Sequence, residues 1–237
     1  MTDLLNPYIA GAPVVAADMF FGRTDIFQWV ERSLMGKYVD HILVIHGQRR
    51  VGKTSILKQL PNHLPDRYIQ VFFDLQGRTT TSPGRFFLLL SREISRAIQS
   101  GQGGTVAVPE RAELEANPEY LFTRFLPEVQ SALDGRVLLL TFDEFDTLND
   151  PGMAETLALP LIQTLRRMME LEGMSFIYSI GSSGQKLENM QARYTEFFKS
   201  ALYRKISFLE RETCRELVNQ PVAGVLAYQP EAVSRIY

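Results

Sequence analysis

GQRRVGKT, residues Gly47–Thr54, is the stretch whose reading decides the fold, with the apolar run Ile42–Ile45 before it and Ser55–Leu60 after it. Its pattern, glycine, four residues, then Gly-Lys-Thr, reads as a phosphate-binding loop in which each fixed position has a physical task. Gly47 and Gly52 carry no side chain, so the backbone can turn tightly and bring successive N–H groups up to phosphate oxygens. A helix starting near Lys53 adds its positive end. Lys53 has the reach for the β and γ phosphates, and the Thr54 hydroxyl suits Mg²⁺. Gln48, Arg49, Arg50, Val51 and Ser55 complete the candidate nucleotide-binding segment. HILVIH supplies the β-branched strand and SILKQL the helix that this reading requires on either side. The bland alternative is a glycine-rich turn without a ligand.

The 237 residues suffice for one α/β domain with a substantial core and a small appendage. Net charge is −2, with 25 basic and 27 acidic side chains, so no overall basic field recruits nucleic acid or a membrane. Nucleic acid is therefore not an expected partner. Cys214 is the only cysteine, which excludes an intrachain disulfide or a cysteine metal cluster and suits a reducing cytoplasm. Apolar runs are too short for a membrane span and no charged-then-apolar leader opens the chain, so a soluble cytoplasmic protein is expected. His41, His46 and His63 lack ligand spacing. His46 abuts the loop and reads either as catalytic or as a packed histidine closing a buried strand.

Residues 1–22 mix proline, glycine and apolar residues without periodicity and read as an ordered, irregular arm. Either Pro7, Tyr8, Pro13, Val14 and Phe21 line a pocket for a flat base, or the arm straps the core. Thr24 is the expected N-cap of a helix to about Met35. YIQVFFDL forms a second strand, and Ser82-Pro83 opens a helix to about Gln99. The following residues through Glu110 read as a loop. A helix from Pro118 to about Leu133 is expected to kink or divide at Pro127.

RVLLLTFD, residues 136–143, is the third strand, and Glu144 follows at once. An apolar strand ending in Asp-Glu looks like a Walker B element: Asp143 would hold the Mg²⁺ shell and Glu144 would polarise the attacking water. A solvated acidic turn is the alternative, and Asp146 reads as structural. A helix over about 154–171 contains Pro160. MSFIYSI is the fourth strand, after which Ser182 or Ser183 either reaches the γ phosphate, the role called sensor 1, or forms a plain turn. A helix over 185–202, a short strand YRKISF and helices over 210–219 and 230–237 complete the reading. The expected fold is α/β, a parallel five-stranded sheet in the order 5-1-4-3-2 with helices on both faces.

NPYIAGAPV, FFGR, GQRRVGKTS, LLLTFDEFDTL and FLERETCRELVNQPVAGVLAY together resemble a bacterial or archaeal STAND ATPase, of the signal-transduction branch of the AAA+ relatives. The resemblance spans nearly the whole chain. It implies an adenine-side arm over 1–22, a P-loop core over 23–208 and the beginning of a helical lid over 209–237, incomplete where the chain stops at Tyr237. It also implies that Tyr8, Pro13, Val14, Phe21 and Arg23 contact base or ribose, and that Lys53, Glu144 and Ser182 serve catalysis. ATP or ADP with Mg²⁺ is the implied ligand. The implied function is a slowly hydrolysing molecular switch that self-associates with ATP when joined to effector and sensor domains. Arg193 is the remaining candidate for a charge-stabilising finger. Replication initiators share the Gly-Arg box and the Asp-Glu pair, so a DNA-associated AAA+ ATPase is the second reading.

Overall fold

Alternate residues of each central strand enter different cores, because side chains of a strand point to opposite faces in turn. The computed structural model describes residues 6–8, 11–35, 42–76, 82–101, 104–149, 155–181 and 184–235. Five parallel strands make one sheet: β1 (Ile42–Gly47), β2 (Tyr68–Asp74), β3 (Val137–Asp143), β4 (Met174–Gly181) and β5 (Leu202–Lys205), ordered β2-β3-β4-β1-β5. Read from the other edge, this is the expected 5-1-4-3-2. Ile42 and Val44 of β1, Leu138, Leu140 and Phe142 of β3, and Phe176 and Tyr178 of β4 share one core with α3 (Pro83–Ser100), α5 (Leu126–Leu133), α6 (Glu155–Met169) and α7 (Gly184–Arg193). Leu43, Ile45, Leu139 and Ile177 face the other way, onto α1 (Thr24–Met35) and α2 (Lys53–Gln59). Covering on both faces explains why β1, β3 and β4 read as continuous apolar runs. Among the described residues, no helix is long and apolar enough to cross a membrane.

The order matters for chemistry. β4 separates β3 from β1, and the register sets Gly47 beside Gly181 and Asp74 beside Asp143. The carboxyl ends of the strands therefore gather the loop after β1 and the acidic turn after β3 along one rim, where open α/β sheets hold their ligands.

Several local expectations need correcting. Thr24 is the first helical residue, and Arg23 in front of it accepts from the N–H groups of Ile26 and Phe27. The short α4 (Arg111–Ala116) occupies a stretch left unassigned above; Glu113 accepts from the Glu110 N–H at 2.8 Å, a capping box that the Glu-x-x-Glu spacing carries. Ahead of Pro127 the chain winds into a π turn over Leu121–Phe125, which widens the helix where a proline ring would clash with an ordinary turn. The helix expected over 185–202 breaks at Tyr194 into α7 and α8 (Thr195–Phe198), because Met190, Tyr194, Phe197 and Phe198 all turn into the core. β5 begins one residue early and stops at Lys205, and α9 (Arg211–Asn219) and α10 (Pro230–Val233) follow, the latter shorter than expected.

An aromatic cluster fixes the acidic turn. Phe145 is buried, with its ring centroid 4.4 Å from Tyr178 and 5.8 Å from Phe197. Phe142, at the end of β3, stacks on Tyr178 at 5.4 Å. Both anchors flank Asp143 and Glu144, so the carboxylates between them sit on a rigid base.

Candidate functional site

β1 ends at Gly47, and Gly52 at φ 95° precedes α2. A Cβ at Gly47 would run into the Ile206 carbonyl, so only glycine lets the loop leave the sheet here. Lys53 is buried, and its Nζ donates to the carbonyls of Gly47 and Gln48, both at 3.1 Å. The ammonium is thus parked inside the curl of the loop.

Across the rim, the Thr54 hydroxyl donates to Asp143 Oδ2 at 2.6 Å, and Asp143 Oδ1 accepts from the Glu144 N–H at 3.1 Å. Glu144 has φ 51°, a left-handed backbone uncommon outside glycine. That reversal sends Phe145 back into the core and leaves Glu144 on the rim. A cavity of about 470 Å³ is lined by Arg49, Arg50, Lys53, Thr54, Asp74, Asp143 and Glu144, with Gly11, Ala12 and Pro13 of the arm along it. Thr54 and Asp143 form a hard-oxygen pair that suits Mg²⁺, which keeps much of its shell as water and phosphate oxygen. Among the described residues no group of three or more His, Cys, Asp or Glu side chains is gathered for a metal. Ser182 and Ser183 lie outside the described residues.

Asp146 is also buried, and its Oδ1 accepts from the Gly181 N–H at 2.8 Å, tying the acidic turn to the end of β4. Asp146→Ala leaves that donor without this acceptor. It should destabilise the fold by about 1–3 kcal/mol. Urea unfolding measures this, and an unchanged midpoint would remove Asp146 as a strut.

A second cavity of about 650 Å³, mostly apolar, adjoins the first and shares Ala12, Arg50, Gly52 and Ser55 with it. Val14, Phe21 and Arg23 line it, whereas Pro13 lines the first cavity instead. Tyr8 reaches neither, and its hydroxyl donates to the Val218 carbonyl of α9. The arm is also a strap: Ser55 Oγ accepts from the Val14 N–H at 3.0 Å, and Gln59 Nε2 donates to the Val15 carbonyl at 2.7 Å. The strap reading is thus met by these bonds, while Val14, Phe21 and Arg23 line a cavity. Met19, Phe20, Phe208, Leu209, Cys214 and Leu217 line the same cavity and escaped the sequence reading. The amphipathic spacing of Cys214 and Leu217 was the available signal. Arg23 joins loop to tail, donating to the carbonyls of Val51 at 3.0 Å and Ser207 at 2.6 Å, and burial lowers its pKa from the ordinary arginine value.

Other candidates fall outside the two cavities. His46 is half-buried, and burial, then Lys205 and Lys53, lower its pKa, which favours a neutral, packed imidazole. Arg193 donates to Asn149 Oδ1 at 2.8 Å and lines neither cavity. A further cavity of about 500 Å³, beside Tyr68 and Arg136, lies at the amino ends of β2 and β3, away from the rim where α/β sheets bind ligands.

Comparison with known proteins agrees with this fold. An uncharacterized ATP-binding protein of Pyrococcus abyssi is 23% identical over 205 residues, which are 85% of this chain and 62% of that protein. The Walker-type ATPase paby2304 of the same organism superposes with a TM-score of 0.67 at 19% identity, over 94% of this chain and 64% of that one. Aeropyrum pernix ORC2, solved in ADPNP–ADP complexes, gives a TM-score of 0.61 at 14% identity over 88% and 54%; the ORC1 protein of that organism, solved with DNA, gives 0.56 at 18% over 92% and 54%. The chain therefore spans less than two thirds of the length of each. The family described as AAA domain matches residues 37–186, which run from just before β1, through the loop and the acidic turn, into α7. The chain belongs to the AAA domain family.

Proposed function

We propose that this chain binds Mg²⁺ and ATP and hydrolyses the ATP slowly, as the nucleotide-dependent switch domain of a larger signal-transducing ATPase of the STAND kind. The observation that carries this reading is the continuity of the two cavities: an apolar one fit for a base opens onto one where Thr54 and Asp143 meet at 2.6 Å. In this reading Lys53 leaves its loop carbonyls for the β and γ phosphates, and Thr54 and Asp143 hold the cation, whose charge draws electron density from the phosphoryl group. Glu144 orients a water and takes its proton. The switch character rests on Arg23, which grips the loop through Val51 and the segment before α9 through Ser207, so ligand in the loop and the position of α9 are mechanically joined.

Slow turnover follows from packing. α9 has no buried residue, and Phe208, Val225 and Leu226 beside it stay exposed, so water reaches the cavity on that side and weakens every charge contact there. Calorimetry with ATP and ADP, phosphate release and light scattering test the reading together. The expected result is binding of both nucleotides, turnover below the enzyme median of about 10 s⁻¹, and a monomer with either nucleotide. A stable ATP-dependent ring or turnover well above that value would overturn the slow-switch reading.

The likeness to the ORC1 protein solved with DNA supports a second reading, a DNA-associated ATPase of the initiator or loader kind. Net charge of −2 argues against it. Duplex binding that weakens steeply with salt, measured in the same preparation, would favour that second reading over the first.

A further inference from the structure

Hydrolysis of a triphosphate moves negative charge onto the bridging and γ oxygens, and some cation must meet it. Among the described residues the cations lining the phosphate cavity are Arg49, Arg50 and Lys53, all from the loop itself. Lys53 already has two acceptors there. Arg49 and Arg50 are exposed, and neither has a hydrogen-bond or ion-pair partner among the described residues. Arg23 is committed to two carbonyls and Arg193 to Asn149, so neither competes for the role.

Arg50 adds a second observation. Its φ is 66°, a backbone that glycine adopts freely and arginine does not. A long cation thus occupies a position whose conformation favours glycine, and such outliers gather at functional sites. Arg50 lies where the base cavity meets the phosphate cavity, whereas Arg49 lines the phosphate cavity alone, in company with Asp143 and Glu144.

Building on the ATPase reading, we propose that Arg49 and Arg50 are catalytic residues that neutralise the transferring phosphoryl group from within the same chain, so that hydrolysis needs no arginine from a second subunit. Water oxygen attacks the γ phosphorus and gives its proton to Glu144. The bond from the γ phosphorus to the β–γ bridging oxygen breaks, and its electron pair leaves with ADP. Arg49 serves the γ oxygens and Arg50 the β side, each with the planar fork that matches phosphate.

The test uses the full chain with Arg49→Ala and Arg50→Gly, the latter chosen because glycine suits that backbone and preserves the fold. Each variant should lower turnover on the order of 10² to 10³-fold. Each should also lose the tightening of ADP binding that aluminium fluoride, a mimic of the transferring group, produces in the parent. Arg49→Lys should recover only part of this, lacking the fork. Parental turnover per chain should not change with protein concentration. Variants that keep both parental turnover and the fluoride-dependent tightening would overturn this inference alone, as would parental turnover that climbs with concentration. A parent chain that binds neither ATP nor ADP would overturn the ATPase reading and this inference with it.

Discussion

Glu144→Gln should leave ATP binding at the parental level and lower hydrolysis by about 10² to 10⁴-fold, because the amide keeps the shape of the side chain and loses the base. The structure supports the choice of this carboxylate. Glu144 lines the cavity at the loop one residue after Asp143, which meets Thr54, while Asp146 is buried and bonded to the Gly181 N–H. Its left-handed backbone between two ring-anchored phenylalanines aims it from a fixed base rather than from a loose turn. Single-turnover phosphate release at saturating ATP, beside calorimetric ATP affinity, separates chemistry from binding. Parental turnover in Glu144→Gln would show that the base lies elsewhere.

Lys53→Ala should weaken ATP and ADP binding by ten-fold to over a hundred-fold, the equivalent of about 1.5–3 kcal/mol for hydrogen bonds between charged groups. Its two bonds to loop carbonyls make the experiment sharper, since the ammonium already points into the curl where phosphate would sit. The same bonds give Lys53 a part in holding the loop, so a thermal melt without nucleotide belongs beside the titration. An unchanged melt with lost affinity assigns the effect to the ligand. Unchanged affinity would take the loop out of the site.

Much of this architecture was legible because its signals are local. The loop lies between a β-branched strand and a helix, and each central strand is a run of Val, Ile, Leu and Phe that only a doubly covered parallel sheet accommodates. What the local signals misjudged were places where tertiary packing overrode them. The polar look of residues 185–202 concealed the buried Met190, Tyr194, Phe197 and Phe198, and the last two rings pack against Phe145. For the acidic run at the end of β3 the sequence left a solvated turn as the alternative, and packing decides against it, since Asp143 and Asp146 are both buried and bonded.

The sequence by itself determined the five strands, the loop and the acidic strand end, since each is written in neighbouring residues whose spacing matches a strand, a turn or a helix terminus. Only the tertiary structure decided which distant residues meet. Thr54 finds Asp143 because β4 and the crossovers bring two strand ends to one rim. Pro13 falls to the cavity at the loop, Val14 to the apolar cavity and Tyr8 to α9, although all belong to one irregular arm. Such an arm has no repeating geometry to tell its faces apart. Its side chains take their places from the surfaces it crosses, and those surfaces exist only once α2, the loop and α9 have packed.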